Sequence, residues 1–217
     1  MSSRNDILTN SALQLILIRH AETVANVQRR WVGWNDTPLT EQGEAQAEAV
    51  ARRLAAEVTD AIALYTSPLP RARRTAEVIG QALGLEPVPL DGLREINFGD
   101  MDGVTLEEMK AQYPALYERW RDRTDTEFAW PGGERRSDFF RRVIATCDDI
   151  LSRHRRGTVL IVAHGGTLRA MLAYLLSEQM SQWWGYELAH CALTRVSVEN
   201  GRAFLLALND TTHLSFP

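Results

Sequence analysis

The feature that most constrains this chain is a short apolar run that ends in a charged dipeptide. The segment Leu13 to Ile18, LQLILI, is almost entirely apolar, and Arg19 and His20 follow it directly. Such a run predicts a strand buried on both faces, of the kind found in parallel sheets. Open α/β sheets bind ligands just beyond the carboxyl ends of these strands. Arginine suits phosphate or carboxylate, and imidazole can be a neutral nucleophile near pH 7. Taken alone, the dipeptide fits a polar, exposed strand end better than it fits a site.

A second apolar run ends in the same way. Residues Thr158 to Ala163, TVLIVA, predict another buried strand, and His164 follows it, before Gly165-Gly166 and a helix expected to begin at Thr167. The carboxyl ends of parallel strands share one edge of a sheet. Two buried strands that each deliver a histidine to that edge are the strongest physical indication of a site in this sequence.

The first half of the chain predicts the order strand, helix, strand, helix. Thr40 is the expected N-cap of an Ala-rich helix, Ala61 to Tyr65 predicts the second strand, and Arg71 to Leu83 predicts a helix closed by Gly84. Arg71 therefore stands at a helix start, where free N–H groups and the helix dipole favour an anion. Arg73 and Arg74 are interpreted as a solvated helix surface.

The second half predicts shorter elements and one long helix. Pro114 separates two short helices, because proline interrupts a helix. Glu199-Asn200-Gly201 predicts the turn of a terminal hairpin. The expected elements are an extended segment 87–94, helices 105–113, 114–121 and 134–154, and hairpin strands 192–198 and 203–208. No linker or repeat interrupts them, so we predict one domain over residues 1–217, with about residues 1–12 as a loose N-terminal segment.

Composition narrows the range of partners. The chain has 217 residues, of which 45% are hydrophobic and 24% charged, with a net charge of −4, so nothing suggests a nucleic-acid partner. Its two cysteines, Cys147 and Cys191, have no metal-ligand spacing, which argues against a structural metal or a disulfide scaffold. No run is long enough to span a membrane and no signal peptide is evident, so we predict a soluble, cytoplasmic protein.

Four ordered blocks give the chain a resemblance to the histidine phosphatase superfamily, the phosphoglycerate mutase-like phosphatases. The blocks are Arg19-His20-Ala21-Glu22-Thr23, Ser67-Pro68-Leu69-Pro70-Arg71-Ala72, Leu93-Arg94-Glu95 with Phe98-Gly99, and His164-Gly165-Gly166. The resemblance covers nearly the whole chain. It implies a three-layer αβα sandwich with a mostly parallel central sheet, and a metal-independent phosphatase without a cofactor.

The resemblance also implies roles for particular residues. His20 corresponds to the nucleophile that takes the phosphoryl group, Arg19 and Arg71 to the phosphate clamp, His164 to the second histidine, and Glu95 to the proton donor for the leaving group. Three further residues correspond to positions that contact substrate: Asn26, Thr23 in the same loop, and Gly165 through its backbone N–H. Phosphoryl transfer is mainly positioning and charge stabilisation, so this is the equipment that the chemistry needs.

Two residues depart from the usual pattern of the family. Ala21 stands where glycine is common, and Asp102 stands where glutamate is common, which puts substrate contacts at Asp102 in question.

Three activities remain to be weighed. Hydrolysis of a small phosphorylated metabolite through a phosphohistidine is favoured. Mutases of this type carry a lid with an adjacent arginine pair, whereas here Arg121 and Arg123 flank Asp122 and His164 lies only 69 positions after Glu95. Phosphoglycerate mutase and a weakly active phospho-ligand-binding regulatory protein are the alternatives, and a homodimer is left open.

The remaining histidines and tryptophans have plainer interpretations. His154 is expected to be a cation at a helix C-terminus. His190 is assigned to packing or chance, and His213 either lies near the site or is an exposed tail residue. Trp183, Trp184 and Tyr186 are interpreted as packing residues.

Overall fold

The computed structural model describes residues 12–176 and 179–214. Its strands are β1 Leu13–Arg19, β2 Ala61–Thr66, β3 Pro87–Pro89, β4 Gly157–Ala163, β5 Leu193–Glu199 and β6 Arg202–Asp210. They form one six-stranded sheet in the order β3-β2-β4-β1-β5-β6. The first four strands are parallel, and β5 and β6 add antiparallel pairings at one edge. The mostly parallel sheet expected from the sequence is therefore confirmed.

Seven α-helices are present in the described part of the chain. They are α1 Val24–Val27, α2 Glu41–Glu57, α3 Pro70–Leu83, α4 Leu106–Gln112, α5 Pro114–Arg121, α6 Arg136–Arg153 and α7 Gly165–Leu175. Short 3₁₀ turns lie at Asp91–Leu93, Gly99–Met101, Met180–Gly185 and Thr212–Leu214. None of these described helices has the length and apolar character needed to cross a membrane.

Local chemistry explains several of the helix ends. The Thr40 hydroxyl accepts a hydrogen bond from the N–H of Gly43 and caps α2. Gly84 ends α3 with a φ of 69°, a left-handed conformation that costs glycine nothing. Pro114 at the first position of α5 separates it from α4. These three ends match the expectations from the sequence.

Alternating side chains of β1 separate the molecule into layers. Leu15 and Leu17 pack with α6 and α7 in one core, whereas Ile16 and Ile18 pack with α2 and α3 in a second core on the opposite face. Side chains of a strand point alternately to the two faces, so a strand that is apolar throughout needs a helical layer on each. The three-layer αβα sandwich is confirmed.

The sheet order creates a crevice at the carboxyl ends of β1 and β4. These two strands are neighbours, with Arg19 opposite Ala163, and the N–H of His20 donates to the Ala163 carbonyl. The chain then leaves β1 toward the α2 face and leaves β4 toward the α7 face. A crevice between adjacent strands whose connections diverge is where open α/β sheets bind ligands.

A few boundaries differ from the expectations. The extended segment expected over 87–94 is a strand only at Pro87–Pro89, and a 3₁₀ turn follows; α6 begins at Arg136 rather than at position 134. Helix α7 begins at Gly165 rather than at Thr167, with His164 as its N-cap, because the strand runs directly into the helix. On α6, Ile150 is buried whereas Ile144 is only half-buried. Of the segment expected to be loose, only Ala12 is among the described residues, and it is buried.

Candidate active site

The ends of three adjacent strands bring two histidines and a serine together. His20 follows β1, His164 follows β4 and Ser67 follows β2, and all three residues are buried. The ring centroids of His20 and His164 lie 5.1 Å apart. His164 Nε2 lies 2.8 Å from the Ser67 hydroxyl oxygen. The meeting of the two histidines, expected from the sequence, is confirmed.

Hydrogen bonding fixes the tautomer of His20. Its Nδ1 lies 2.8 Å from the carbonyl oxygen of Ala21. A carbonyl only accepts, so Nδ1 carries the proton and Nε2 keeps a free lone pair. Burial, together with Arg71, His164, His190 and Arg19, holds the pKa of His20 well below its usual value of 6.5. The imidazole is therefore neutral and its Nε2 can act as a nucleophile at neutral pH.

The two clamp arginines are held by backbone carbonyls. Nη1 of Arg19 donates to the Leu188 carbonyl at 2.8 Å. Nη1 of Arg71 donates to the carbonyl of Asn35, and its Nη2 donates to those of Val32 and Gly33. Burial and then Arg169 lower the pKa of Arg19 to about 10, which leaves it charged at neutral pH.

Three buried nitrogens beside His20 have no hydrogen-bond partner within the described part of the chain: Arg19 Nε, Arg71 Nε and His164 Nδ1. The Ser67 hydroxyl accepts a hydrogen bond from the N–H of Leu69 and can donate its own proton to His164 Nε2. His164 Nε2 is then the acceptor, so the ring proton of His164 lies on Nδ1, which is a donor. Buried donors are almost always paired in folded proteins, so three unpaired ones at one sheet edge indicate a site built for an acceptor-rich group.

Glu95 is fixed by two backbone N–H groups. Its Oε1 accepts from the N–H of Ile96 and its Oε2 from that of Gly166, each at 2.9 Å. Gly166 has no room for a side chain, because an added Cβ would overlap Glu95 Oε1. Glu95 lines the same cleft as Arg19 and His20.

Of the three residues expected to contact substrate, two line the cleft and one does not. Asn26 and Gly165 line the cleft, and Gly165 is the first residue of α7, whose N–H has no acceptor within the helix. Thr23 is fully buried and is not part of the cleft lining; it caps α1, and its N–H and hydroxyl both donate to Asn26 Oδ1. Thr23 therefore orients Asn26 rather than reaching into the cleft.

Asp102 has a role that the sequence did not indicate. Its carboxylate accepts hydrogen bonds from the backbone N–H groups of Gly33, Trp34 and Asn35, at 2.9, 2.9 and 3.1 Å. The same loop supplies the carbonyls that hold Arg71. The departure from the family pattern at Asp102 thus affects the anchoring of a loop, and not a residue of the cleft lining.

His190 lies beside the nucleophile and was not recognised as part of the site. Its ring centroid lies 5.2 Å from that of His20, and its Nδ1 lies 2.9 Å from the His20 carbonyl. Burial lowers its pKa to about 3. A usable signal was present in the sequence: His190 directly precedes the predicted terminal hairpin, and a strand antiparallel to β1 begins where β1 ends.

Two other histidines are not part of the site. His213 Nε2 lies 3.0 Å from the Cys191 carbonyl, and His213 does not line the cleft. The expectation that His154 is a helix-end cation is not supported, because burial, followed by Arg153, lowers its pKa from 6.5. His154 Nε2 instead lies 2.9 Å from the Tyr65 hydroxyl.

The cleft itself has a volume of about 190 Å³ and an aromatic outer wall. Trp183 and Trp184, interpreted from the sequence as packing residues, both belong to its lining. The residues that line it are Arg19, His20, Asn26, Arg30, Trp31, Val32, Glu95, Ile96, Phe98, Trp120, Trp130, Arg136, Gly165, Gly166, Arg169, Trp183 and Trp184. The described residues contain no group of three or more His, Cys, Asp or Glu arranged to hold a metal ion.

The fold and the paired histidines define a class of proteins, and comparison with known proteins identifies it. The family model of the histidine phosphatase superfamily (branch 1) matches residues 15–211, and the chain belongs to this superfamily.

Particular relatives cover nearly its whole length. Phosphoserine phosphatase 1 of Hydrogenobacter thermophilus is 34% identical over 93% of this chain and 94% of its own length. The probable phosphoglycerate mutase GpmB of Yersinia enterocolitica is 34% identical over 94% of this chain and 96% of its own. The structure of the mycobacterial glucosyl-3-phosphoglycerate phosphatase Rv2419c in complex with VO3 superposes with a TM-score of 0.80, at 31% identity, over 91% of this chain and 99% of that one.

Proposed function

We propose that this protein hydrolyses a small phosphorylated metabolite through a phosphohistidine at His20. The observation that carries the proposal is the neutral His20, with a free Nε2, beside three unpaired buried donors. The relatives named phosphoserine phosphatase and glucosyl-3-phosphoglycerate phosphatase support a phosphatase of this kind.

The proposed mechanism gives each group a step. Nε2 of His20 attacks phosphorus, and the bond from phosphorus to the leaving oxygen breaks. Arg19, Arg71 and His164 stabilise the charge on the remaining phosphoryl oxygens. Glu95 in its protonated form gives its proton to the leaving oxygen, and as a carboxylate it then takes a proton from the water that attacks the phosphohistidine. The bond from phosphorus to Nε2 breaks in that second step, which releases phosphate and restores His20. Asn26 and the N–H of Gly165 contribute further donors to the substrate.

Phosphoglycerate mutase is the alternative, and the relative named GpmB is the observation in its favour. The adjacent arginine pair of a mutase lid is absent here. Arg121 pairs with Glu118 at the surface, whereas the Arg123 guanidinium lies over the rings of Trp120 and Trp184. Neither arginine lines the cleft, which favours hydrolysis.

A weakly active binding protein is the other alternative. It would not need a nucleophile, an acid and an anion clamp together, so turnover of a simple phosphomonoester separates it from an enzyme. The cytoplasmic location and a homodimer stay predictions, which cell fractionation and sedimentation would test.

The decisive experiment is replacement of the nucleophile. His20→Ala should abolish release of phosphate while the far-ultraviolet circular dichroism stays unchanged. Labelled substrate quenched without acid should leave phosphate on His20 of the native enzyme. His154→Ala, at a histidine outside the cleft, is the matched control and should keep full activity. Full activity in His20→Ala would refute the assignment.

Two reagents test the chemistry further. We expect activity to persist in excess EDTA, and vanadate to inhibit, because it can adopt the five-coordinate geometry of phosphoryl transfer. Loss of activity in EDTA that a divalent ion restores would contradict metal independence.

A further inference from the structure

One wall of the cleft is a group of aromatic side chains that the proposed chemistry does not use. This aromatic wall comprises Trp31, Phe98, Trp120, Trp130, Trp183 and Trp184. Resting on the proposed function, we propose that the aromatic wall is a leaving-group subsite, and that it selects phosphomonoesters whose alcohol carries a flat apolar ring.

The aromatic wall is assembled from separate parts of the chain. Trp31 follows α1, Trp120 lies in α5, Trp130 lies between α5 and α6, and Trp184 lies in the 3₁₀ turn after α7. The ring centroid of Trp31 lies 5.1 Å from that of Trp120 and 5.2 Å from that of Trp130. The Trp183 and Trp184 centroids are 4.2 Å apart. Spacings of this size are those of favourable aromatic pairs, so the rings hold one another in place.

A half-buried cation packs against two rings of the wall. The Arg123 guanidinium carbon lies 4.3 Å from the Trp120 ring centroid and 3.8 Å from that of Trp184. Its Nη1 also donates to the Trp120 carbonyl. Partial burial, followed by Arg136, lowers the pKa of Arg123 to about 10, so it stays a cation at neutral pH. The stack joins α5 to the 180–185 turn, and a wall formed before the ligand arrives loses little entropy on binding.

The rings are more than core packing. Trp31, Phe98, Trp120 and Trp184 are only partly buried, and all four line the cleft that also holds His20 and Glu95.

Size limits the ligand. An apolar cavity of about 150 Å³ holds benzene. The cleft, at about 190 Å³, therefore has room for one ring beside the phosphoryl group. Polyhydroxylated leaving groups would gain less here, since their hydroxyl groups would lose water against the indole faces.

Binding of stable analogues tests the subsite apart from turnover. Calorimetry should compare 2-phenylethylphosphonate, an analogue of benzyl phosphate, with 3,4-dihydroxybutylphosphonate, an analogue of glycerol 3-phosphate. We expect the native protein to bind the phenyl compound about tenfold more tightly, a difference of about 1.4 kcal/mol. Trp184→Leu should remove most of that preference, and Trp184→Phe should keep most of it. Phe204→Leu, at an exposed aromatic residue of β6 outside the cleft, is the matched control.

Kinetics then relate the subsite to catalysis. Benzyl phosphate and glycerol 3-phosphate both release poorly acidic alcohols, so a difference in kcat/KM reports recognition rather than the ease of bond breaking. We expect about a tenfold preference for benzyl phosphate, which Trp184→Leu abolishes.

Equal affinity of the native protein for the two phosphonates would overturn the subsite proposal, as would an equal loss for both ligands in Trp184→Leu. Failure to hydrolyse both esters and also p-nitrophenyl phosphate would count against the proposed phosphatase function, while the phosphonate affinities would still decide whether the subsite exists.

Discussion

The two adjacent glycines that open α7 have opposite steric surroundings. A Cβ added to Gly165 would meet Arg19 Nε at 3.5 Å, which is ordinary contact, whereas a Cβ added to Gly166 would overlap the Glu95 carboxylate. The N–H of Gly166 also holds Glu95. Gly166 thus works as a positioning residue for the proposed general acid, although in sequence the two glycines are indistinguishable.

This difference gives a matched pair of variants. Gly166→Ala should displace Glu95 and lower kcat/KM on alkyl phosphates by about 10²-fold or more, within the range of general acid catalysis. The loss on p-nitrophenyl phosphate should be distinctly smaller, because nitrophenolate leaves without a proton. Gly165→Ala should lose much less on both substrates. Equal losses in the two variants would argue against the steric explanation.

His190 makes folding stability depend on pH. Its pKa is about 3 in the folded protein against 6.5 for an ordinary histidine, with burial as the main cause. Because the folded pKa is the lower one, the unfolded chain binds the extra proton, and stability present above pH 6.5 is lost as pH falls. Between pH 5.5 and 4.5, His190→Asn should therefore reduce the slope of unfolding free energy against pH by about 1.4 kcal/mol per pH unit. Urea titrations at several pH values measure this slope, and an unchanged slope would contradict the assignment.

At the scale of elements, the loop after α1 connects two parts of the site. Asp102, just after the Gly99–Met101 turn, holds the loop through three backbone N–H groups. The loop in turn holds the Arg71 guanidinium through three backbone carbonyls, so that Nε is the guanidinium nitrogen left without a partner among residues 12–176 and 179–214. The Trp34 indole also donates to the backbone carbonyl of Glu95, so the loop contacts the segment that carries the proposed general acid as well.

Removing the anchor should therefore disturb the phosphate clamp. We expect Asp102→Ala to raise KM about tenfold and to weaken vanadate inhibition similarly, because Arg71 loses its orientation. Asp102→Asn, which can still accept hydrogen bonds, should restore part of the loss. Asp100→Ala, at an exposed carboxylate two residues earlier, is the control. A change in melting temperature with unchanged KM and vanadate inhibition would show that Asp102 is only structural.

For the whole molecule, the two cysteines report on the two cores separately. Cys147 lies in the core between the sheet and α6, whereas Cys191 lies in the core on the α2 face. Both thiols are free and buried, and burial raises the pKa of Cys147 to about 12 and that of Cys191 further. Thiolate is the reactive form, so neither should react at neutral pH in the folded protein.

We therefore expect no labelling by a disulfide reagent in native buffer, and two equivalents of label in denaturant. Because β1 contributes side chains to both cores, both thiols should become reactive in the same urea transition. Mass spectrometry of peptides labelled along the titration measures each thiol, with Cys147→Ser and Cys191→Ser as single-thiol controls. Exposure of one thiol well before the other would show that the two layers unfold separately.

Local patterns in the sequence determined much of this structure. Some features depend on only a few neighbouring residues, so they could be predicted from the sequence. They are the two apolar strands that end before His20 and His164, the helix N-cap at Thr40 and the helix C-terminus at Gly84. Parallel strands then placed both histidines at one edge of the sheet, because a right-handed crossover allows little else. The same reasoning placed Arg71 at that edge, at the start of the helix that follows the second strand. The ordered motifs added Glu95, whose proximity no local pattern predicts.

Only the tertiary structure decided what surrounds that centre. The position of β4 between β1 and β2 and the loop link from Asp102 to Arg71 depend on contacts between distant segments. Trp184 and His190 resembled packing residues in the sequence, and they line or support the cleft because the 180–185 turn and the start of β5 return to the same edge. The sequence around a tryptophan looks the same whether the ring lies in a core or in the wall of a cleft. Its role depends on which distant elements leave part of its surface uncovered.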